Sequence, residues 1–305
     1  MYFFQDNALG VLLVQPRVAI QASDGIGVEL GTGQILYSYQ YLSTASGSTN
    51  PKCVFNSPNF VYYIDVTNRT INRVSDRVEG LSDPAGLHVY MFNNILQSYD
   101  NSLNLVGIYD NINDEAYFTT PEFTVVFNES KNCFTSFYDF KPKHYIKVPG
   151  KLYSCNDNIN IYQHDVGEYC NFYGTVYDSN ITFFCNPNQF GPLKTRFDNI
   201  EFNAELTDND IDVFYDENTN TYTLPIKSIE ITTDYQKTAN TALIWGSNIR
   251  RKFRNWSIIL PRAYDFTNNK ETMDRMRGEW AYIKLTFDNT NNYKLVLHDI
   301  ILNFA

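Results

Sequence analysis

The chain has 305 residues, 43% of them hydrophobic and 16% aromatic, with 23 Tyr and 22 Phe, while only 19% are charged. That profile excludes a disordered chain, which is poor in aromatics and rich in charge, and 15 Gly are too few for a collagen-like repeat. The 24 Lys and Arg against 34 Asp and Glu leave a net charge of −10, which argues against nucleic-acid binding over the whole surface.

No apolar run approaches the roughly 18 residues of a membrane helix. Asn, at about one residue in nine, takes over the polar role that charge usually has. Short aromatic and β-branched runs punctuated by Asn, Asp, Gly and Thr predict an all-β chain with under about a tenth of its residues helical. Met1-Tyr2-Phe3-Phe4-Gln5-Asp6 runs straight into Val11-Leu12-Leu13-Val14 without a basic leader. This opening reads as a strand entered in mid-fold, so we expect the chain to be part of a longer polypeptide or to pair its first strands with a neighbour.

Residues 1–186 are a series of hairpin signals. The recurring unit is an aromatic or aliphatic residue, an Asp or Asn, a short polar turn with another Asn, and an apolar return. It starts at Tyr63-Ile64-Asp65, at Tyr109-Asp110 and at Phe127-Asn128, with a looser copy around Asn156. Asx side chains bond their own backbone two residues on and tolerate left-handed conformations, as a tight hairpin demands. The irregular spacing suits blades of a degenerate β-propeller, which carry more than one hairpin each; a β-sandwich with long loops also gives it.

The Asn/Pro/Gly cluster at Asn186–Pro192 marks a linker, with a C-terminal β-sandwich expected over 187–305. There Ile200, Phe202, Ala204 and Leu206 share one face, Ile229, Ile231, Thr233 and Tyr235 another, and Ala281, Ile283, Leu285 and Phe287 a third. A short helix is expected over Asn268–Arg277. The turn Asp288–Asn292 is expected to close a hairpin between Ala281–Phe287 and Tyr293–Leu297.

Chemistry-bearing patterns are weak. His88, His144, His164 and His298 lie far apart, and the pairs His164-Asp165 and His298-Asp299 point to opposite faces if extended. Cys53, Cys133, Cys155, Cys170 and Cys185 are odd in number and lack the paired spacing of zinc sites or disulfide frameworks, so free thiols are expected. Asp216-Glu217-Asn218-Thr219-Asn220 begins like a calcium loop, but the Gly and the bidentate Glu that complete one are missing. Gly25-Ile26-Gly27, with Gly31 and Gly33, lacks the strand–helix context of a phosphate loop. No nucleophile motif, cofactor or metal site is expected, and no enzymatic activity.

One cluster stands out. Arg250, Arg251, Lys252 and Arg254 form a basic patch followed by Arg262, Arg275 and Arg277; an acidic stretch with Asp208, Asp210 and Asp212 precedes it. Opposite patches of this kind fix the register between subunits, and two separate solvated loops fit the pattern equally well.

Several runs carry a family likeness: Phe3–Gly10, Phe134–Pro142, His164–Tyr169 with Phe172-Tyr173-Gly174, and Arg275–Tyr282. They resemble the tail stabilisation proteins of crAss-like phages, which are similar to the nozzle or hub proteins of short-tailed phages. The resemblance spans nearly the whole chain without a catalytic motif. It implies propeller blades with an attached sandwich, arranged in a homo-oligomeric ring around the DNA exit channel. It also implies contacts with other tail or portal-associated proteins, DNA passing without specific binding, no membrane partner, and a place in the virion tail after assembly in the host cytoplasm. A carbohydrate-binding or glycan-degrading β-propeller is the competing expectation.

Overall fold

The computed structural model describes residues 1–14, 18–21, 27–30, 36–84, 86–94, 104–156, 159–187, 194–217 and 220–305. Strands take up 53% of the residues and helix 3%, as the composition predicts. The described residues contain one α-helix, Leu87–Asn94, which the sequence did not announce. Most of the glycine run from Gly25 to Gly33, and the linker cluster from residue 188 onward, lie outside the described residues.

The chain divides into two units, Met1–Val166 and Gly167–Ala305. The boundary expected at 186/187 therefore falls inside the second unit. The physical reason is strand Ser179–Cys185, which pairs along its whole length with Ala281–Phe287.

The first unit is a succession of antiparallel meanders, continuous in sequence from Phe55 onward. Tyr2–Phe4, Leu9–Val14 and Leu36–Ser43 make a three-stranded sheet, and Val18–Gln21 pairs with Gly27–Leu30. Phe55–Asn56, Val61–Asp65, Thr70–Val74 and Val78–Gly80 make a four-stranded sheet. A second four-stranded sheet follows from Val106–Asp110, Glu115–Thr119, Thr124–Asn128 and Cys133–Tyr138. His144–Val148, Lys151–Cys155 and Tyr162–Gln163 close the series.

Neighbouring side chains on a strand point to opposite faces, and here both faces find a partner sheet. Tyr62 and Ile64 pack with Tyr109, Phe118 and Val125 of the next sheet, while Tyr63 and Val74 pack back onto Leu9. Ile108, Tyr117 and Val126 turn the other way, onto Leu152. Double-sided burial explains why Val61–Asp65 and Thr124–Asn128 read as continuous apolar runs without alternation.

The hairpins sit where the sequence places them: Asp65 pairs with Thr70, Asp110 with Glu115, and Asn128 with Cys133. Asp65 accepts the Asn68 backbone N–H at 2.9 Å and the Asn68 amide at 2.8 Å. Asp110 accepts the Ile112 N–H at 2.9 Å and the Asn113 amide at 2.8 Å. Asn128 accepts the Lys131 N–H at 2.9 Å. Each four-residue loop ends on a left-handed residue: Arg69 at φ 57°, Asp114 at 55° and Asn132 at 53°.

The second unit has two larger sheets around one core. Ser179–Cys185, Ala281–Phe287, Ser228–Thr233 and Thr241–Ala242 form the first. The second is built on the long strand Thr195–Asp208. Lys294–Phe304 pairs along Thr195–Asp208, which also pairs with Asn255–Ile259, Ile211–Asp212 and Arg277–Gly278; Ile249–Lys252 pairs with Asn255–Ile259. Ile200, Phe202 and Ala204 meet Ile229, Ile231, Ala281, Ile283 and Leu285 in the core, with Trp256 at its centre. The alternation in the sequence thus marks the dry faces, and only Tyr235 of the predicted set is exposed, at 50%.

Two expectations are corrected here. Residues 268–277 are not helical: Asp265 accepts the Thr267 and Asn268 N–H groups at 2.9 and 3.1 Å, Asn269 sits at φ 51°, and Tyr264–Asp265 pairs with Lys270–Glu271. The same Asx turn as in the first unit outcompetes a helical turn. Nor do Ala281–Phe287 and Lys294–Phe304 form a hairpin. Both edges of Ala281–Phe287 are already occupied by Ser179–Cys185 and Ser228–Thr233, so the chain crosses to the other sheet. Asn289 secures that crossing by donating to the Tyr177 carbonyl and, at 3.0 Å, to the Ser179 hydroxyl.

A candidate assembly surface on the second unit

Arg250, Arg251 and Lys252 lie on the edge strand Ile249–Lys252, and the hairpin tip beyond it carries Phe253 and Arg254. Phe253, at φ 57°, is 91% exposed. On an edge strand, successive side chains alternate between the sheet faces, and here that separates the basic residues. Arg250, Lys252 and Arg254 are exposed, whereas Arg251 lies over Phe214 at 3.8 Å and over Trp256 at 5.3 Å from the ring centroids. Its guanidinium also reaches Asp212 at 3.9 Å. Within the chain, then, Arg251 faces Asp212, and its guanidinium packs over the rings of Phe214 and Trp256.

This placement has a measurable consequence. Arg251→Glu should destabilise the second unit by about 1–3 kcal/mol, through lost stacking and a new repulsion with Asp212. Lys252→Glu and Arg254→Glu should stay within about 0.5 kcal/mol, as exposed charges do. All three tryptophans, Trp245, Trp256 and Trp280, lie in this unit, so thermal melts followed by tryptophan emission read it selectively.

The acidic stretch is a tight turn. Asp208 and Ile211 pair across Asn209 and Asp210, which both have positive φ, 48° and 65°. This is the backbone of a two-residue hairpin, and it presents the carboxylates of Asp208 and Asp210 beside Ile211, itself 69% exposed. Residues 218 and 219 of the calcium-like stretch lie outside the described residues.

A second basic cluster was hidden in the sequence. Thr195–Arg196 pairs with Arg277–Gly278, which brings Arg275 to Asp198 at 3.1 Å. Arg196 grips the same carboxylate through Nε at 2.8 Å and Nη2 at 2.9 Å. The hydrogen bonds from Arg196 Nη2 and Arg275 Nη1, Arg196's foremost, hold the Asp198 carboxyl below the usual carboxylate range. Arg262 lines the same pocket of about 240 Å³, over Phe197, Pro261 and Met276. Its Nη1 makes a long, 3.5 Å contact to the Met273 carbonyl. Arg262 and Arg275 were legible as basic residues; their meeting with Arg196 depends on strand pairing between distant segments.

The histidines stay apart. His164 shares a 2.6 Å hydrogen bond with Ser154, and burial lowers its pKa; His298 faces Glu205 at 3.5 Å. Among the described residues no three His, Cys, Asp or Glu side chains group as a metal site would, and no helix is long and apolar enough to cross a membrane. The five cysteines are free, with Cys53 buried and its thiol pKa raised by that burial. An apolar groove of about 580 Å³ runs between the edge strands Ser179–Cys185 and Lys294–Phe304. It carries a single carboxylate, Asp299, which accepts the Asn203 N–H at 2.9 Å. Glycoside hydrolysis needs a pair of carboxylates, and this groove does not offer one.

Comparison with known proteins divides the chain in much the same way. The family model described as the crassvirus muzzle protein matches residues 1–158, and the one described as the crassvirus muzzle protein C-terminal domain matches residues 167–263. The chain is also similar to the muzzle protein of Bacteroides phage crAss001, with 28% identity over 312 residues. That alignment covers 100% of this chain and 22% of the phage protein, so the chain spans about a fifth of its relative's length.

Proposed function

The chain belongs to the crassvirus muzzle protein family, and from that premise we propose that it is a structural part of a phage virion, a subunit of a nozzle-type ring around the DNA exit channel. The observation that carries this reading is that the two family regions fall one in each unit of the fold. On this reading the chain acts by assembly, without turnover and without a cofactor. Its partners are further copies of itself and other tail or portal-associated proteins, met during assembly in the host cytoplasm.

The physics of the fold supports it. Antiparallel four-stranded meanders that follow one another in sequence suit the blades of a propeller, and two sheets around one core suit a sandwich. Both are rigid scaffolds with large outer surfaces. Exposed aromatics such as Tyr39, Phe137, Phe184 and Phe253 suit protein contacts. A net charge of −10 lets DNA slide past without being held.

Quantitative mass spectrometry of purified virions tests the reading. The protein should appear in a fixed ratio to the other tail components, and the isolated protein should release no sugar from host glycans. Its absence from washed virions overturns the proposal. Measurable glycan hydrolysis by the purified protein favours the propeller-enzyme alternative instead.

A further inference from the structure

The second unit is electrically polarised along its longest strand. Thr195–Asp208 carries Arg196 and Asp198 near one end and Asp208 at the other. At about 3.3 Å per residue these ends lie up to about 40 Å apart along the strand. At the first end Arg196 and Arg275 hold the Asp198 carboxylate and Arg262 lines the same pocket, so three guanidiniums share a pocket with one carboxylate. At the second end Asp208 and Asp210 project, exposed, from the two-residue turn, while the nearby Arg251 reaches Asp212.

The two ends match in more than charge. Pro261 lines the pocket beside the arginines with the buried Phe197 and Met276, next to Ile259, which is 53% exposed. The acidic turn carries Ile211, which has no cover of its own. Guanidinium forks bind carboxylates in two-point fashion, and an adjoining apolar contact excludes the water that screens such pairs.

We propose that the Arg196–Arg262–Arg275 pocket is a carboxylate-binding site whose occupant is the Asp208–Ile211 turn of a second copy of this chain. The two surfaces differ and lie at opposite ends of one strand, so the contact is head to tail. Such heterologous contacts close into rings when the rotation allows. The inference rests on the ring-subunit reading and names the contact that builds the ring.

Charge reversal in the purified protein tests it. Asp208→Arg with Asp210→Arg alters only the turn, and Arg262→Glu with Arg275→Glu alters only the pocket; circular dichroism checks that each variant is folded. Sedimentation velocity should show each pair weakening self-association at least tenfold. Mixing the two variants, or placing all four substitutions in one chain, should restore it, because each reversed turn then meets a reversed pocket. High salt should weaken the wild-type contact. Should a pair leave association unchanged, or the four-substitution chain fail to recover while folded, this contact is overturned although the ring reading stands. Wild-type protein that stays monomeric at high concentration overturns it too, whereas absence from virions removes the ring reading itself.

Discussion

Trp256→Ala is expected to lower the stability of the second unit by about 3–5 kcal/mol, the usual cost of emptying a large aromatic site in a core. Trp256 is 1% exposed; it stacks on Phe202 with an interplanar angle of 11° and meets Phe214 and Trp245 edge-on. Its indole N–H donates to the Ala204 carbonyl at 3.4 Å, and the Arg251 guanidinium lies over its ring. Removing it also strands Arg251, which would keep Phe214 alone as a platform. Trp245 and Trp280 remain to report the melt. Denaturant unfolding followed by their emission should show the midpoint falling sharply with little change in slope. A loss below about 1 kcal/mol would mean that the site collapses onto itself and that Trp256 does not anchor the core.

Asp65→Ala should be the most damaging single change outside the apolar cores, at about 2–4 kcal/mol, because it leaves several buried donors without an acceptor. Asp65 is 1% exposed. Beyond the two hydrogen bonds of its own turn, its Oδ2 accepts the Ser46 hydroxyl at 2.8 Å and the Gly47 N–H at 3.2 Å. The carboxylate thus ties the end of the first sheet to the hairpin of the second. Gly47 permits this: a Cβ there would run into the backbone of Gln5 and Ala8. Asp65→Asn should cost an intermediate amount, since both carboxylate oxygens accept and an amide offers one acceptor. The equivalent change at Asp265, which is only partly buried, should cost less. Thermal melts of the three variants give the order. Equal melting temperatures for Asp65→Ala and Asp265→Ala would contradict the role assigned to burial.

How much of this fold was readable from the residues depends on how local each determinant is. The hairpins at Asp65, Asp110 and Asn128 were legible because the Asx side chain, the turn and the left-handed residue lie within a few positions of one another. The strands around Ile200–Leu206 and Ala281–Phe287 were legible because one dry face imposes period two. Residues 268–277 misled because Asp265, just upstream of them, decides the turn. The path after Phe287 misled because a turn signal cannot say whether the strand before it still has a free edge. At the candidate surface, Arg250, Lys252 and Arg254 are as exposed as charge clustering suggests. Arg251 is not, and nothing near it in sequence points to Phe214 or Trp256. The Arg196–Asp198–Arg275 cluster is a product of long-range pairing, beyond the reach of any local pattern.

The most direct measurement is a cryo-EM reconstruction of the phage tail, into which the two units are fitted separately. The account predicts density for several copies of both units arranged in a ring about the DNA channel, with the Asp208–Ile211 turn of each copy facing the arginine pocket of the next. A ring without these units, or units found only on peripheral fibres away from the channel, would contradict it.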